Sequence, residues 1–201
     1  MDKILKSISF IFHPLIMPIL GVVFYFAKSP RYIPPEIIKA KLVSLFILTI
    51  ILPILLYFLL KTLRKVKSIY LESARERIFP LTLNFGVILI VLQRILTPTQ
   101  VIELYYFFVG ILISTLACLI LAILKFKASI HMMAVSGLFM FFVALSIHFS
   151  ININGTLALM SIIIGGVATS RLHLNAHTSK ELVIGIFIGF VPQLLLVNYW
   201  L

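Results

Sequence analysis

One stretch of the chain concentrates side chains capable of covalent and acid–base work: Ser170-Arg171-Leu172-His173-Leu174-Asn175-Ala176-His177-Thr178-Ser179-Lys180-Glu181. His177 and Glu181 stand four apart, so on a helix the carboxylate lies one turn from the imidazole. A carboxylate that accepts from one ring nitrogen selects the tautomer and raises the basicity of the other. That is what a nucleophilic or general-base histidine requires. Arg171 adds a permanently charged, forked donor suited to phosphate oxygens. The blander reading of the same stretch is a solvated helix start. A second stretch, Lys125-Phe126-Lys127-Ala128-Ser129-Ile130-His131, supplies another histidine, so that one imidazole can attack while the other protonates the leaving group. A third, Arg75-Glu76-Arg77-Ile78-Phe79-Pro80, carries two arginines. Arginines at a membrane surface usually meet lipid headgroups; beside two histidines they complete a clamp for phosphoryl charge.

The elements that must position these residues are membrane spans. Of 201 residues 62% are apolar and 11% charged, too few polar groups to coat a water-soluble globule. Apolar segments fall at about 8–27, 41–61, 79–96, 101–124, 132–149, 156–171 and 182–200, near the length that crosses a bilayer except the sixth, which is short. Only helices let an open chain satisfy its backbone in lipid. The fold class is therefore all-α, a polytopic helical bundle of six to seven transmembrane helices in a single domain, 1–201. The first segment is too long for a signal-peptide core and lacks a small-residue cleavage site, so it is expected as a retained span. The net charge of +11 lies in no basic run long enough for nucleic acid, and marks topology, headgroups or a phosphate-bearing substrate. Cys118 is the single cysteine and sits inside an apolar run, so there is no disulfide framework and no thiolate metal site. Gly185, Gly189, Gly165 and Gly166 are expected at close helix contacts, and Pro14, Pro18, Pro53 and Pro192 at kinks.

Each crossing reverses the side of the membrane. Lys61–Pro80, Lys125–His131 and Arg171–Glu181 are separated by even numbers of crossings, so all three share one face with the N-terminus. Most of the 17 Lys and Arg fall there. Apart from that edge the spans are nearly free of charge, and His177 is expected on the polar rim.

These residues resemble the signature motifs of the type 2 phosphatidic acid phosphatase superfamily of membrane lipid phosphatases. Ser170, Arg171, His177 and Glu181 match its third motif at the family's spacing, with Glu in place of Asp. Ala128-Ser129-Ile130-His131 keeps the Ser and His of the second motif without its Pro and Gly. Arg75, Arg77 and Pro80 form a degenerate first motif, with Lys67 as stand-in for its lysine. The resemblance covers roughly residues 67–190. It implies a metal-independent phosphatase with no cofactor, acting on a lipid phosphate or prenyl diphosphate in a bacterial inner membrane. It further implies that His177 attacks phosphorus with Glu181 orienting it, and that His131 protonates the departing group. Arg171, Arg75, Arg77, Ser129 and, more remotely, Lys127 would bind the phosphoryl oxygens.

Two alternatives stand beside this reading. His173, His177 and Glu181 repeat every four residues and could offer two imidazoles and a carboxylate to zinc or iron, although the neighbouring arginines suit an anion better than a cation. A transporter or a catalytically inactive lipid-binding protein is the non-enzymatic alternative. A transport path would call for charge along the middle of spans.

Overall fold

The computed structural model describes residues 2–64 and 73–201. Among the described residues there are eight helices and no strand: α1 (Asp2–Ile11), α2 (Ile16–Lys28), α3 (Pro35–Thr62), α4 (Ile78–Arg94), α5 (Ile102–Ile123), α6 (Ile130–His148), α7 (Asn154–His173) and α8 (Ser179–Leu196). Six are long and apolar enough to cross a membrane, and α1 with α2 would make a seventh as one bent span. The 22 residues of α5 extend about 33 Å, enough for the hydrocarbon core. Large apolar side chains such as Phe58, Ile162, Phe187 and Leu195 stand exposed around the bundle. Lipid is their solvent, and the chain is an integral membrane protein.

The first apolar segment departs from the single span expected at 8–27. The chain bends by 60° between α1 and α2. Pro14 lies in the break, and its missing N–H and bulky ring oppose a continuous helix. α1 instead lies along the end of α7: His173 Nε2 donates to Asp2 Oδ1 (2.7 Å), the Ser9 and Ser170 hydroxyls meet (2.7 Å), and Ser170 Oγ donates to the Leu5 carbonyl (2.6 Å). The second span also begins earlier than expected, with Pro35 in its first turn, where a missing N–H costs nothing. Lys41 thereby becomes helical and buried, its Nζ donating to the Ile95 carbonyl at 2.7 Å. A π-helical stretch, Ile47–Ile51, just precedes Pro53 and widens the helix where the proline ring needs room.

At the centre α6 packs most closely on α8. A Cβ at Gly185 would lie 2.6 Å from the Ser129 carbonyl oxygen, and one at Gly189 would overlap the Met133 carbonyl. Small residues let the two backbones meet, as their spacing implies. Gly165 and Gly166 do not share this role: nothing lies within 4 Å of a Cβ at Gly165, and only Ile8, at 3.9 Å, approaches one at Gly166. Four helices are followed by a residue of positive φ, Arg64 after α3, Lys125 after α5, Ser150 after α6 and Asn175 after α7. The last three fold the following amide back onto the last turn (Phe126 N to Leu121 O, Ile151 N to Ser146 O, Ala176 N to Arg171 O), which closes the helix and reverses the chain within a few residues.

The spans are less free of charge than expected. At the end of the bundle away from His177, Glu103 is fully buried in the first turn of α5. Its carboxylate accepts from Tyr25 Oη (2.9 Å), Arg31 Nη2 (2.8 Å) and His148 Nε2 (3.1 Å), and Trp200 lies edge-on to the His148 ring. Four elements are tied by one carboxylate. Glu103→Ala would strand the buried Tyr25 hydroxyl and the largely buried His148 ring, and should cost about 3 kcal/mol. The check is thermal unfolding in detergent followed by the fluorescence of Trp200; an unchanged midpoint would show that the cluster contributes nothing to stability.

Candidate active site

The turn between α7 and α8 brings His177 and Glu181 together by a route other than a shared helix face. His177 precedes the helix, and α8 starts with a capping box. Thr178 Oγ1 accepts from the Glu181 amide (3.4 Å), and Glu181 Oε2 accepts from the Thr178 amide (3.1 Å). This reciprocal pair satisfies two amides left free at a helix start and fixes the carboxylate. The same Oε2 accepts from His177 Nδ1 at 2.8 Å. Because a carboxylate only accepts, the proton sits on Nδ1 and Nε2 presents its lone pair.

His177 is only 7% exposed, so it lies beneath the polar rim rather than on it. Its Nε2 is 3.4 Å from Nη2 of Arg77, and Arg77 Nη1 donates to the Ala128 carbonyl at 2.7 Å. The Ser129 amide in turn donates to the Glu181 carbonyl at 3.1 Å. Three stretches distant in sequence are thus joined by direct hydrogen bonds. Arg171 and Lys127 stand within electrostatic reach of His177. Among the described residues no group accepts from Arg171, whose Nε is buried without a partner. An orphan buried donor on a cation is costly, and an anion would relieve it.

Burial, opposed by the hydrogen bond to Glu181 and reinforced by Arg77, Lys127 and Arg171, pushes the His177 imidazole down from its ordinary 6.5 to about 4. The ring is therefore neutral near pH 7. Between about 4 and 6.5 the unfolded chain binds this proton and the folded chain does not, so His177 contributes a loss of stability as the pH falls through that window. In a 15N-histidine NMR titration, Nε2 of His177 should stay unprotonated well below pH 6. Protonation at an ordinary 6.5 would contradict the burial described here.

Other residues proposed from sequence take different places. His131, in the first turn of α6, donates from Nε2 to the Ser9 carbonyl (3.3 Å) and lies within electrostatic reach of Arg171 and His177. Ser129 is fully buried, and its hydroxyl caps α6 by accepting from the Met132 amide (3.4 Å). Arg75 does not join the cluster: it is exposed, whereas Arg77 is buried. Both sit in a 3-10 turn, where three residues complete a revolution and positions two apart point to different sides. Lys67 lies outside the described residues.

The alternative metal set does not converge. α7 ends at His173, the chain reverses at Asn175, and His173 turns to Asp2 while His177 turns to Glu181. Among the described residues no group of three or more His, Cys, Asp or Glu side chains comes together.

Sequence reasoning missed His13. The break between α1 and α2 carries its ring to His131, with centroids 5.4 Å apart in an edge-to-face arrangement, and within reach of Arg171. The available signal was the adjoining Pro14, which stops a helix where a straight span would carry His13 past the site.

Compared with protein-family models, curated proteins and solved structures, the chain matches none.

Proposed function

We propose that this protein is a metal-independent phosphatase of the membrane, acting on a phosphate ester or anhydride carried by a lipid. The observation that carries the reading is a neutral, oriented imidazole nitrogen, His177 Nε2, beside Arg77 and near an Arg171 that has no acceptor among the described residues. A nucleophile that meets cationic donors suits an incoming phosphoryl group, whose transfer depends chiefly on positioning and charge stabilisation.

In the proposed reaction His177 Nε2 forms a bond to phosphorus as the bond from phosphorus to the leaving oxygen breaks, the lipid alkoxide of a monoester or the bridging oxygen of a diphosphate. Glu181 holds Nδ1 and stabilises the charge that develops on the ring. The negative substrate offsets Arg171, which stands within reach of His131, and His131 then holds a proton on Nδ1, its Nε2–H being engaged by Ser9. That proton passes to the departing oxygen. Water then gives its proton to His131 and attacks phosphorus, and the phosphorus–nitrogen bond breaks to release inorganic phosphate. The acyl or prenyl chain stays in lipid throughout. The resemblance in motif order supports the same reading, and a bacterial inner membrane is the setting it suggests.

The test is phosphate release by the purified, detergent-solubilised protein from a panel of lipid phosphates and diphosphates with EDTA present. Activity that survives chelation and is inhibited by orthovanadate is the expected result. Activity that vanishes on chelation would replace this mechanism with a metal-dependent one, and no release from any substrate would leave a lipid-binding protein.

A further inference from the structure

The break between α1 and α2 brings a third histidine to the site, and its chemistry differs from that of the other two. His13 Nδ1 accepts from the Leu15 amide at 3.3 Å, so the neutral ring carries its proton on Nε2. Among the described residues nothing accepts from that Nε2–H. The ring stands edge-to-face with His131, with planes at 82°, and Arg171 lies within electrostatic reach. The backbone that carries it is braced. One turn earlier the Ser9 carbonyl holds His131, and the Ser9 and Ser170 hydroxyls lock α1 to α7 next to Arg171. Two donors without an acceptor among the described residues, the buried Arg171 Nε and the half-buried His13 Nε2–H, therefore belong to one cluster.

We propose that His13 is a catalytic residue that binds the phosphoryl group, donating from Nε2–H to one of its oxygens while Arg77 and Arg171 take the other two. This rests on the phosphatase reading. A transferring phosphoryl group spreads its charge over three oxygens, and the three donors arrive from three elements: the turn before α4, the end of α7 and the α1–α2 break. A neutral N–H completes such a set without adding a further positive charge beside His131, which must itself take up a proton. The bent N-terminal segment thus forms a wall of the active site.

The rival role for His13 is a packing partner for the His131 ring, and two substitutions separate the roles. His13→Phe keeps an aromatic ring and removes the donor. His13→Gln removes the ring and keeps an N–H at the same reach. Orthovanadate binding to the full-length, detergent-solubilised protein is measured by calorimetry beside phosphate release. A hydrogen bond to a charged group is worth about 1.5–3 kcal/mol, or roughly a 10- to 150-fold change. His13→Phe should weaken vanadate binding within that range, and His13→Gln should stay within about threefold of the parent. Equal binding by His13→Phe and the parent would overturn the donor role while leaving the phosphatase standing, as would His13→Gln being the weaker of the two. A parent that neither binds vanadate nor releases phosphate would overturn the phosphatase and this proposal together. If Trp200 fluorescence shows that a variant has unfolded, 15N-histidine NMR of the parent replaces it. Orthovanadate should then shift the His13 Nε2–H signal, and an unmoved signal would overturn the proposal.

Discussion

Replacing His177 with Asn should reduce phosphate release by at least about ten-thousandfold, the usual cost of losing a covalent nucleophile. Asn is the informative substitution because His177 is buried and hydrogen-bonded. Alanine would leave a cavity and strip the Glu181 carboxylate of its donor, confounding chemistry with stability. The Asn amide can still donate to Glu181 from near the position of Nδ1, but it has no nitrogen in place of Nε2. Arg77, Arg171 and His13 are untouched, so orthovanadate should still bind. The expected result is lost turnover with retained oxyanion binding and a thermal midpoint lowered less than in His177→Ala. If His177→Asn kept a tenth or more of the parental rate, His177 could not be the nucleophile, and His131 would be the next residue to test.

Arg171→Ala should lower phosphate release by about a thousandfold, the upper part of the range for removing one donor to developing charge. Its effect on folding should run the other way. Among the described residues the Arg171 guanidinium meets no acceptor and its Nε is buried, so removing it breaks no hydrogen bond and relieves an unsatisfied donor. The thermal midpoint should hold or rise, the exchange of stability for activity common at functional sites. Arg77 provides the contrast. It donates to the Ala128 carbonyl and approaches His177, so Arg77→Ala should cost stability as well as turnover. Arg171→Lys should recover little, because an ammonium cannot reproduce the forked donor. A destabilised Arg171→Ala variant with normal turnover would make Arg171 a structural residue and remove the main support for an anion site.

The capping box shows how far local sequence reached into the site. Thr178 and Glu181 are a recognisable helix start, and their reciprocal hydrogen bonds deliver the carboxylate to His177. Their spacing led to the right partner through the wrong geometry, since His177 lies before the helix and not on it. Arg75 and Arg77 show the opposite case. Alike in type and two residues apart, they were equivalent until a 3-10 turn buried one and exposed the other. The His173, His177 and Glu181 series failed as a ligand set because Asn175 takes positive φ and reverses the chain between the two histidines.

Hydropathy and the parity of crossings were sufficient for the coarse frame. A chain this apolar must be solvated by lipid, lipid permits it only helices, and each crossing reverses sides, so segments an even number of spans apart meet at one face. The sequence by itself therefore determined an all-helical membrane protein whose Arg77, His131 and His177 segments converge. Depth and neighbourhood were decided only by the tertiary structure. The approach of α6 to α8 at Gly185 and Gly189 sets how close the second and third segments lie, the bend at Pro14 admits His13, and the ties to Glu103 hold the far end. These features depend on which helices stand side by side in the plane of the membrane. Lipid-facing and helix-facing apolar residues look alike in sequence, so only the packed bundle distinguishes them.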